Sequence, residues 1–351
     1  MPNKSIIFAG ILILGAAVTL LIDKNNLPEK TQIIDTPLIE DNEKSLVTKI
    51  DINANQNTIS LSAKDNYWTI TSNNDFPANG RAILAFLDQL KTTKVIRLLS
   101  SKESEWTDFG IEKANKIVLT MKEGPQRTFW LGNARSGGGQ YIGLEKGDQK
   151  MAVMISQGIG FNPNPVNWEI KSLVTIDKDD IKKVTFAAEE GDKQAGFAVM
   201  RESREAPFTT QQMPANMEVN PERINQLASL VASFDYTDKQ EKTEKLEGKK
   251  VTGKSVLKID TFSDREYSLI FERFENRRRK GRKDKQQTTE VPEYYAQVAL
   301  IKPTSGPEHE AINVKMSPYM FKVDPNRVKA FMVDDSAFLK AKQKEEEKNK
   351  G

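Results

Sequence analysis

The sequence has no cysteine and a single histidine among its 351 residues. Without cysteine there are no disulfides, zinc–thiolate sites, iron–sulfur clusters, thiol nucleophiles or thiol-linked lipid anchors. With one histidine, any Ser-His-Asp relay has to run through His309, which sits in the turn-like stretch Gly306-Pro307-Glu308-His309-Glu310. No second histidine stands at the spacing of a zinc hydrolase. Neither sign of charge dominates: 52 basic and 49 acidic residues leave a net charge of +3, too little for a global attraction to nucleic acid. A phosphate cradle is missing too. Gly137-Gly138-Gly139 run into the strand-like Gln140-Tyr141-Ile142, without a following Gly-Lys-Ser/Thr, and read as a hairpin connection. Asp177, Asp179 and Asp180 lack the alternating acceptors and the glycine of a calcium loop and read as a turn. From these absences we expect no catalytic residue, no metal and no cofactor.

What is present begins with an apolar run from Ile6 to Ile22, ended by Asp23-Lys24. Seventeen residues are at the short end of what a tilted helix needs to cross a bilayer. Lys4 before the run gives a weak positive-inside bias, so the expected arrangement is a single-pass inner-membrane protein with the bulk of the chain in the periplasm. A cleaved signal peptide is the rival reading, because Gly15-Ala16-Ala17 has the small-residue character of a cleavage site; the apolar stretch continues past it through Val18, Leu20, Leu21 and Ile22. The polar segment 25–44, with Pro28 and Pro37, reads as a linker.

The body then presents one order of elements twice. Apolar residues two apart (Ile50 and Ile52, Ile59 and Leu61, Trp68 and Ile70), separated by Asn, Asp and Ser-rich turns, signal half-buried antiparallel strands. Asn79 is placed to cap a helix carrying Ile83, Phe86, Leu87 and Leu90, and strands are expected at 117–121, 128–131, 141–144 and 151–155. In the second half, strand-like 184–186 and 197–200 precede a helix starting at Asn220-Pro221 with Ile224, Leu227, Ala228 and Val231; each of these lies 141 positions after its counterpart, as Asn220 does after Asn79. Strands are expected again at 256–259, 267–271, 295–301 and 312–315. The predicted class is α+β: an N-terminal transmembrane helix (1–24) and linker, then two similar β-rich repeats (45–176 and 177–339), each an antiparallel meander with one main amphipathic helix, and a charged tail (340–351).

Two groups of residues are candidates for contact with a ligand or surface. Arg277, Arg278, Arg279, Lys280, Arg282, Lys283 and Lys285 place seven basic residues in nine, suited to an anionic surface; no aromatic residues interleave them to stack bases, and a solvated hairpin extension is the plainer reading. Trp106 and Trp168 are the indoles least obviously assigned to a core, unlike Trp68 and Trp130, and are candidates to line a cleft between the repeats.

Tyr67-Trp68-Thr69-Ile70, Phe76-Pro77-Ala78-Asn79 before a helix ending Phe86-Leu87-Asp88-Gln89-Leu90, Phe109-Gly110-Ile111, Leu131-Gly132-Asn133, Gly139-Gln140-Tyr141-Ile142 and Asn167-Trp168 together resemble the bacterial domain-of-unknown-function family DUF4340. The resemblance covers most of residues 50–184 and more loosely the second repeat; the basic run at Arg277 departs from it. It implies an envelope protein with one N-terminal anchor, in some cases accompanying ABC-transporter components of the type linked to gliding motility, and it carries no catalytic residues. The expected function is a non-enzymatic accessory or scaffolding component of such an assembly, held to the membrane through residues 6–22, with a protein partner and no nucleic acid. The alternative is a periplasmic binding module for a small molecule or glycan.

Overall fold

A computed structural model describes residues 35–54, 57–65, 67–146, 149–190, 193–211, 213–242, 249–276, 292–302, 306 and 309–342. The membrane run 6–22, linker residues 25–34, the basic run 277–285 and tail residues 343–351 lie outside the described residues. The protein divides into two compact units: the first runs up to Thr58 and from Leu84 to Pro163, the second takes in Ile59–Ile83 and everything from Asn164 onward.

In the first unit seven strands pair antiparallel in the order Thr36–Pro37, Lys94–Ser100, Gln149–Ile155, Gln140–Lys146, Arg127–Ala134, Lys116–Met121 and Val47–Ala54. Alternation drives this pairing: Ile50, Ile52, Ile117 and Leu119 each stand at 0–1% exposure, so one face of the ladder is dry. Gly137, Gly138 and Gly139 form the connection between two of these strands, all with positive φ, which only glycine adopts without strain.

The second unit is built on an eight-stranded antiparallel sheet in the order Thr209–Thr210, Lys193–Met200, Ile181–Glu190, Lys249–Thr261, Glu266–Asn276, Glu293–Lys302, Tyr319–Val323 and Asp238–Glu241. Its core gathers Phe186, Leu257, Leu269, Phe271 and Phe321 from the strands with Leu227 and Val231 from the Pro221–Ala232 helix. That helix starts where the sequence places it: the Asn220 Oδ1 accepts from the backbone N–H of Glu222 at 3.1 Å and of Arg223 at 3.5 Å, and Pro221 follows. Asn79 does the same for the Gly80–Thr92 helix, accepting from Arg81 and Ala82.

Three expectations need correction. This is a mostly β protein rather than an α+β one, with 48% of the described residues in strands and 24% in helices of every kind, many of these single 3-10 turns. The transmembrane helix and the single-pass inner-membrane placement are not supported either: no helix among the described residues is long and apolar enough to cross a membrane, and the run 6–22 lies outside those residues. The longest of them, Gly80–Thr92, has 13 residues, about 20 Å at 1.5 Å per residue against a hydrocarbon core of about 30 Å. Third, the segment expected as a strand at 312–315 is a π-helical turn, Glu310–Met316. There the Asn313 side chain accepts from the Leu300 N–H and donates to the Leu300 carbonyl, occupying the ladder positions a strand would have used.

Candidate functional site

The ends of six strands of the second-unit sheet meet at a groove of about 620 Å³. Lys182 and Lys183 enter from the Ile181–Glu190 strand, Met200 and Arg201 from the next, Asp260 and Thr261 from a third, and Arg265 and Glu266 from the hairpin that follows; Lys302 closes the far side. Such a place is dictated by topology: where antiparallel strands end together, their last side chains ring a concavity that the ladder no longer fills.

The fixed point of the groove is Arg201, only 9% exposed. Its guanidinium donates from Nε to the Ile181 carbonyl at 2.8 Å, from Nη1 to that of Arg204 at 2.6 Å, and from Nη2 to those of Lys178 at 3.0 Å and Asp179 at 2.8 Å. Asp177 sets up two of those carbonyls by capping the Lys178–Asp180 turn, its side chain accepting from the Asp179 N–H. Phe208 and Phe262 flank the guanidinium at 4.7 and 5.6 Å. Every one of these partners is a dipole or a ring face; no carboxylate among the described residues pairs with this buried charge. Beside it Asp180, 8% exposed, accepts from Arg204 at 2.7 Å and from the Ser263 hydroxyl at 2.5 Å, with Arg265 at 3.7 Å. Desolvation pushes the Asp180 carboxyl up, but the Ser263 and Arg204 hydrogen bonds and the two guanidinium charges together hold it below the usual carboxylate value.

Along the walls the charges divide by exposure. Lys302 pairs with Glu266 at 3.3 Å, and Asp260 stands opposite Lys183 in the strand register. Glu202, Asp264 and Lys182 are exposed and solvated. Asp264 takes the left-handed conformation, φ +60°, that turns the hairpin.

A second charged constellation lies in the same unit. Glu169, 1% exposed, accepts on one oxygen from Lys239 at 2.5 Å and Asn73 at 2.8 Å, and on the other from the Tyr236 hydroxyl at 3.0 Å and Lys171 at 3.1 Å. Lys239 lies over the Phe76 ring at 4.5 Å and Lys171 over Tyr236 at 4.9 Å. Burial, then the adjacent Glu169 carboxylate, pushes the Tyr236 phenol far above its ordinary value. All four of the carboxylate's bonds are satisfied from within, so it braces three segments of the protein and offers no open face to a ligand.

The residues singled out from sequence fall elsewhere. Trp106, in the first unit, is 2% exposed and packs on Trp130 at 5.1 Å; its Nε1 finds no hydrogen-bond partner among the described residues. It lies so close to the neighbouring strand that a Cβ on Gly143 would come within 2.8 Å of the indole. Trp168, in the second unit, is 5% exposed at the end of a 3-10 turn. Both indoles are core side chains, whereas Trp68, read as core, is half-buried. Trp130 is buried as expected; the other three differ because 3-10 turns fold Trp106 and Trp168 inward, while Trp68 sits on a four-residue strand near its start. The seven basic residues from Arg277 to Lys285 lie outside the described residues. His309 is half-buried, directly before the π-helical turn.

Three motifs behind the family resemblance do come together, in the first unit. A Cβ on Gly110 would strike the Asn133 carboxamide; a Cβ on Gly132 would meet the Ile111 side chain at 2.7 Å and the carbonyls of Phe109 and Tyr141 at 2.8 Å. Gln140 ties them by donating to the Gly132 carbonyl and accepting from the Ile159 N–H, both at 3.0 Å. These glycines mark close packing of backbone on backbone, a structural lock.

Sequence reasoning missed Arg201 and Glu169. Arg201 ends the apolar run Phe197-Ala198-Val199-Met200, and Glu169 follows Asn167-Trp168. A charged residue at the edge of a buried segment is the only trace either leaves.

Fold and site together define an antiparallel β protein with a charged groove at its strand ends. The protein belongs to the family described as domain of unknown function DUF4340, whose model matches residues 68–250. That range contains the whole Glu169 constellation and, from the groove, Lys182, Lys183 and Arg201. No curated protein and no solved structure matches it. The family description assigns no activity and does not mention transporters.

Proposed function

We propose that this protein is a non-enzymatic binding component that holds a partner protein in an assembly through the groove of its second unit. The observation that supports this reading is the buried Arg201 charge, fixed by four carbonyls and without a carboxylate partner among the described residues, at the edge of an open, charge-lined concavity. A fold that spends burial free energy on a cation without neutralising it keeps a strong local field for something else to use. The resemblance noted from the sequence suggests an accessory role beside ABC-transporter components as the setting.

The test is capture of partners by the tagged full-length protein and by a Lys182→Glu/Lys183→Glu variant with unchanged circular dichroism. A partner retained reproducibly by the parent and lost by the variant supports the reading. Retention of the same partners by both proteins would remove the groove from the account.

A further inference from the structure

We infer that the group recognised in this groove is a carboxylate carried by a peptide segment, seated against Arg201 and the two lysines of the Ile181–Glu190 strand. This deepens the partner-binding reading and rests on it for the identity of the ligand as a polypeptide. A guanidinium has five donors, and four of those of Arg201 are spent on the carbonyls of Ile181, Arg204, Lys178 and Asp179. One Nη1 proton remains, on a cation whose ring-flanked faces prevent it from turning away. Because Arg201 is 9% exposed, its field is screened far less than those of the exposed Glu202 and Asp264 on the rim. The buried acid Asp180 is held by Arg204, Arg265 and Ser263 and forms no hydrogen bond or ion pair with Arg201 among the described residues. Lys182 forms no ion pair among the described residues and stands free to add a second, mobile cation.

The rim acids decide what kind of anion is admitted. Glu202, Asp260 and Asp264 would repel a polyphosphate or a nucleic acid, whose many charges cannot all reach the buried cation. A single carboxylate meets that cation at one point and leaves the rest of the groove to neutral or basic groups, which the rim acids favour. The lining is mostly charged, unlike the apolar walls of a typical small-ligand pocket, which suits a solvated peptide.

The carboxylate has two possible sources, an acidic side chain or the free C-terminus of a polypeptide, and the experiment separates them. Fluorescence anisotropy on the full-length protein would use four labelled peptides: one with internal glutamates and an amidated end, one with a free C-terminus and no acidic side chain, one neutral and amidated, and one basic and amidated. The expected result is saturable binding of one or both carboxylate peptides, weakening with salt, with the neutral and basic peptides at least tenfold weaker. Lys182→Glu, at an exposed position, should reduce that binding about tenfold, the size of one close charge contact of about 1.4 kcal/mol. Arg201→Lys, checked for folding by thermal melt, should reduce it further, because an ammonium cannot satisfy four carbonyls and a ligand together. Equal binding of all four peptides, no binding of either carboxylate peptide, or indifference to Lys182→Glu would overturn the inference. Loss of partner capture in the groove variant combined with no carboxylate binding would overturn this inference alone and leave the partner reading standing. Carboxylate binding with partner capture unaffected by the variant would do the reverse.

Discussion

Removing the Glu169 side chain would leave the ammonium of Lys239, itself only 13% exposed, in a buried site facing Phe76 and Tyr319 with its counter-charge gone. A buried pair is a weak source of net stability while intact, because desolvation offsets the Coulomb gain, yet breaking it from one side is costly. We therefore expect Glu169→Ala to lower the unfolding free energy by about 3 kcal/mol or more. Lys171→Ala should cost well under that, since the Lys171 side chain is 36% exposed and largely solvated already. Urea denaturation of the two variants against the parent checks the order; equal losses would mean that the carboxylate is not the organising charge. At this scale legibility was poor for a definite reason. The sequence shows 49 acidic residues, and only the meeting of segments around 73, 169 and 236–239 makes one of them special. The tryptophans mislead in the same way, because a 3-10 turn that folds an indole inward has no periodicity to reveal it.

At the scale of single elements the sequence spoke more clearly, since helix caps and alternation are local physics. Both Asn79 and Asn220 do what their position before an apolar stripe requires, and the segments read as strands at 117–121, 141–144 and 267–271 are the interiors of Lys116–Met121, Gln140–Lys146 and Glu266–Asn276. Where the reading failed, a tertiary bond intervened, as when Asn313 takes both backbone groups of Leu300 and turns an alternating stretch into a π-helical one. The strand Lys94–Ser100 went unread because its exposures do not alternate cleanly, Val95 being dry while Leu98 and Leu99 are half-buried. The cap itself is testable. Asn220→Ala removes the acceptor for two helix N–H groups and should cost about 1 kcal/mol, with Asn220→Asp close to neutral because a carboxylate caps equally well and favours the positive helix end. Thermal melts that place the two variants together would show that the side-chain oxygen is not what holds the helix start.

At the scale of the whole molecule, the described tyrosines give the fold a direction of pH sensitivity. Tyr67, Tyr236, Tyr294 and Tyr319, all in the second unit, have phenols raised above 10.0, in each case first by burial. For Tyr67 the Glu310 and Asp75 carboxylates add to burial and push the value up to about 12. The sign follows from linkage. An unfolded polypeptide releases these protons near pH 10, while the folded unit keeps them, so the unfolded state binds fewer protons in this range and stability falls as pH rises. The contribution is fully present below pH 10 and is lost through the folded values, for Tyr67 between pH 10 and about 12. The urea midpoint should therefore be flat up to about pH 9 and decline beyond 10, with tyrosinate absorbance of the native protein lagging behind that of the urea-unfolded form. Lysines lose their charge in the same range, so the control is Tyr67→Phe, which should make the decline shallower without changing its onset. A native titration that coincides with the unfolded one, or a decline as steep in Tyr67→Phe as in the parent, would show that the alkaline loss comes from elsewhere. Acid works through the opposite sign: the lowered Asp180 carboxyl contributes stability present above about 3.8 and lost as the pH falls below it, so the groove end of the sheet should loosen there while the tyrosines stay neutral. Because the Asp180 carboxyl is held below the usual carboxylate value, it keeps its charge, and its hold on Arg204, over the range in which an ordinary peptide carboxylate is protonated. Carboxylate binding by the groove should therefore be flat with falling pH until the ligand's own carboxylate titrates and then be lost, whereas a maximum on the acid side would mean that Asp180 gives up its charge before the ligand does.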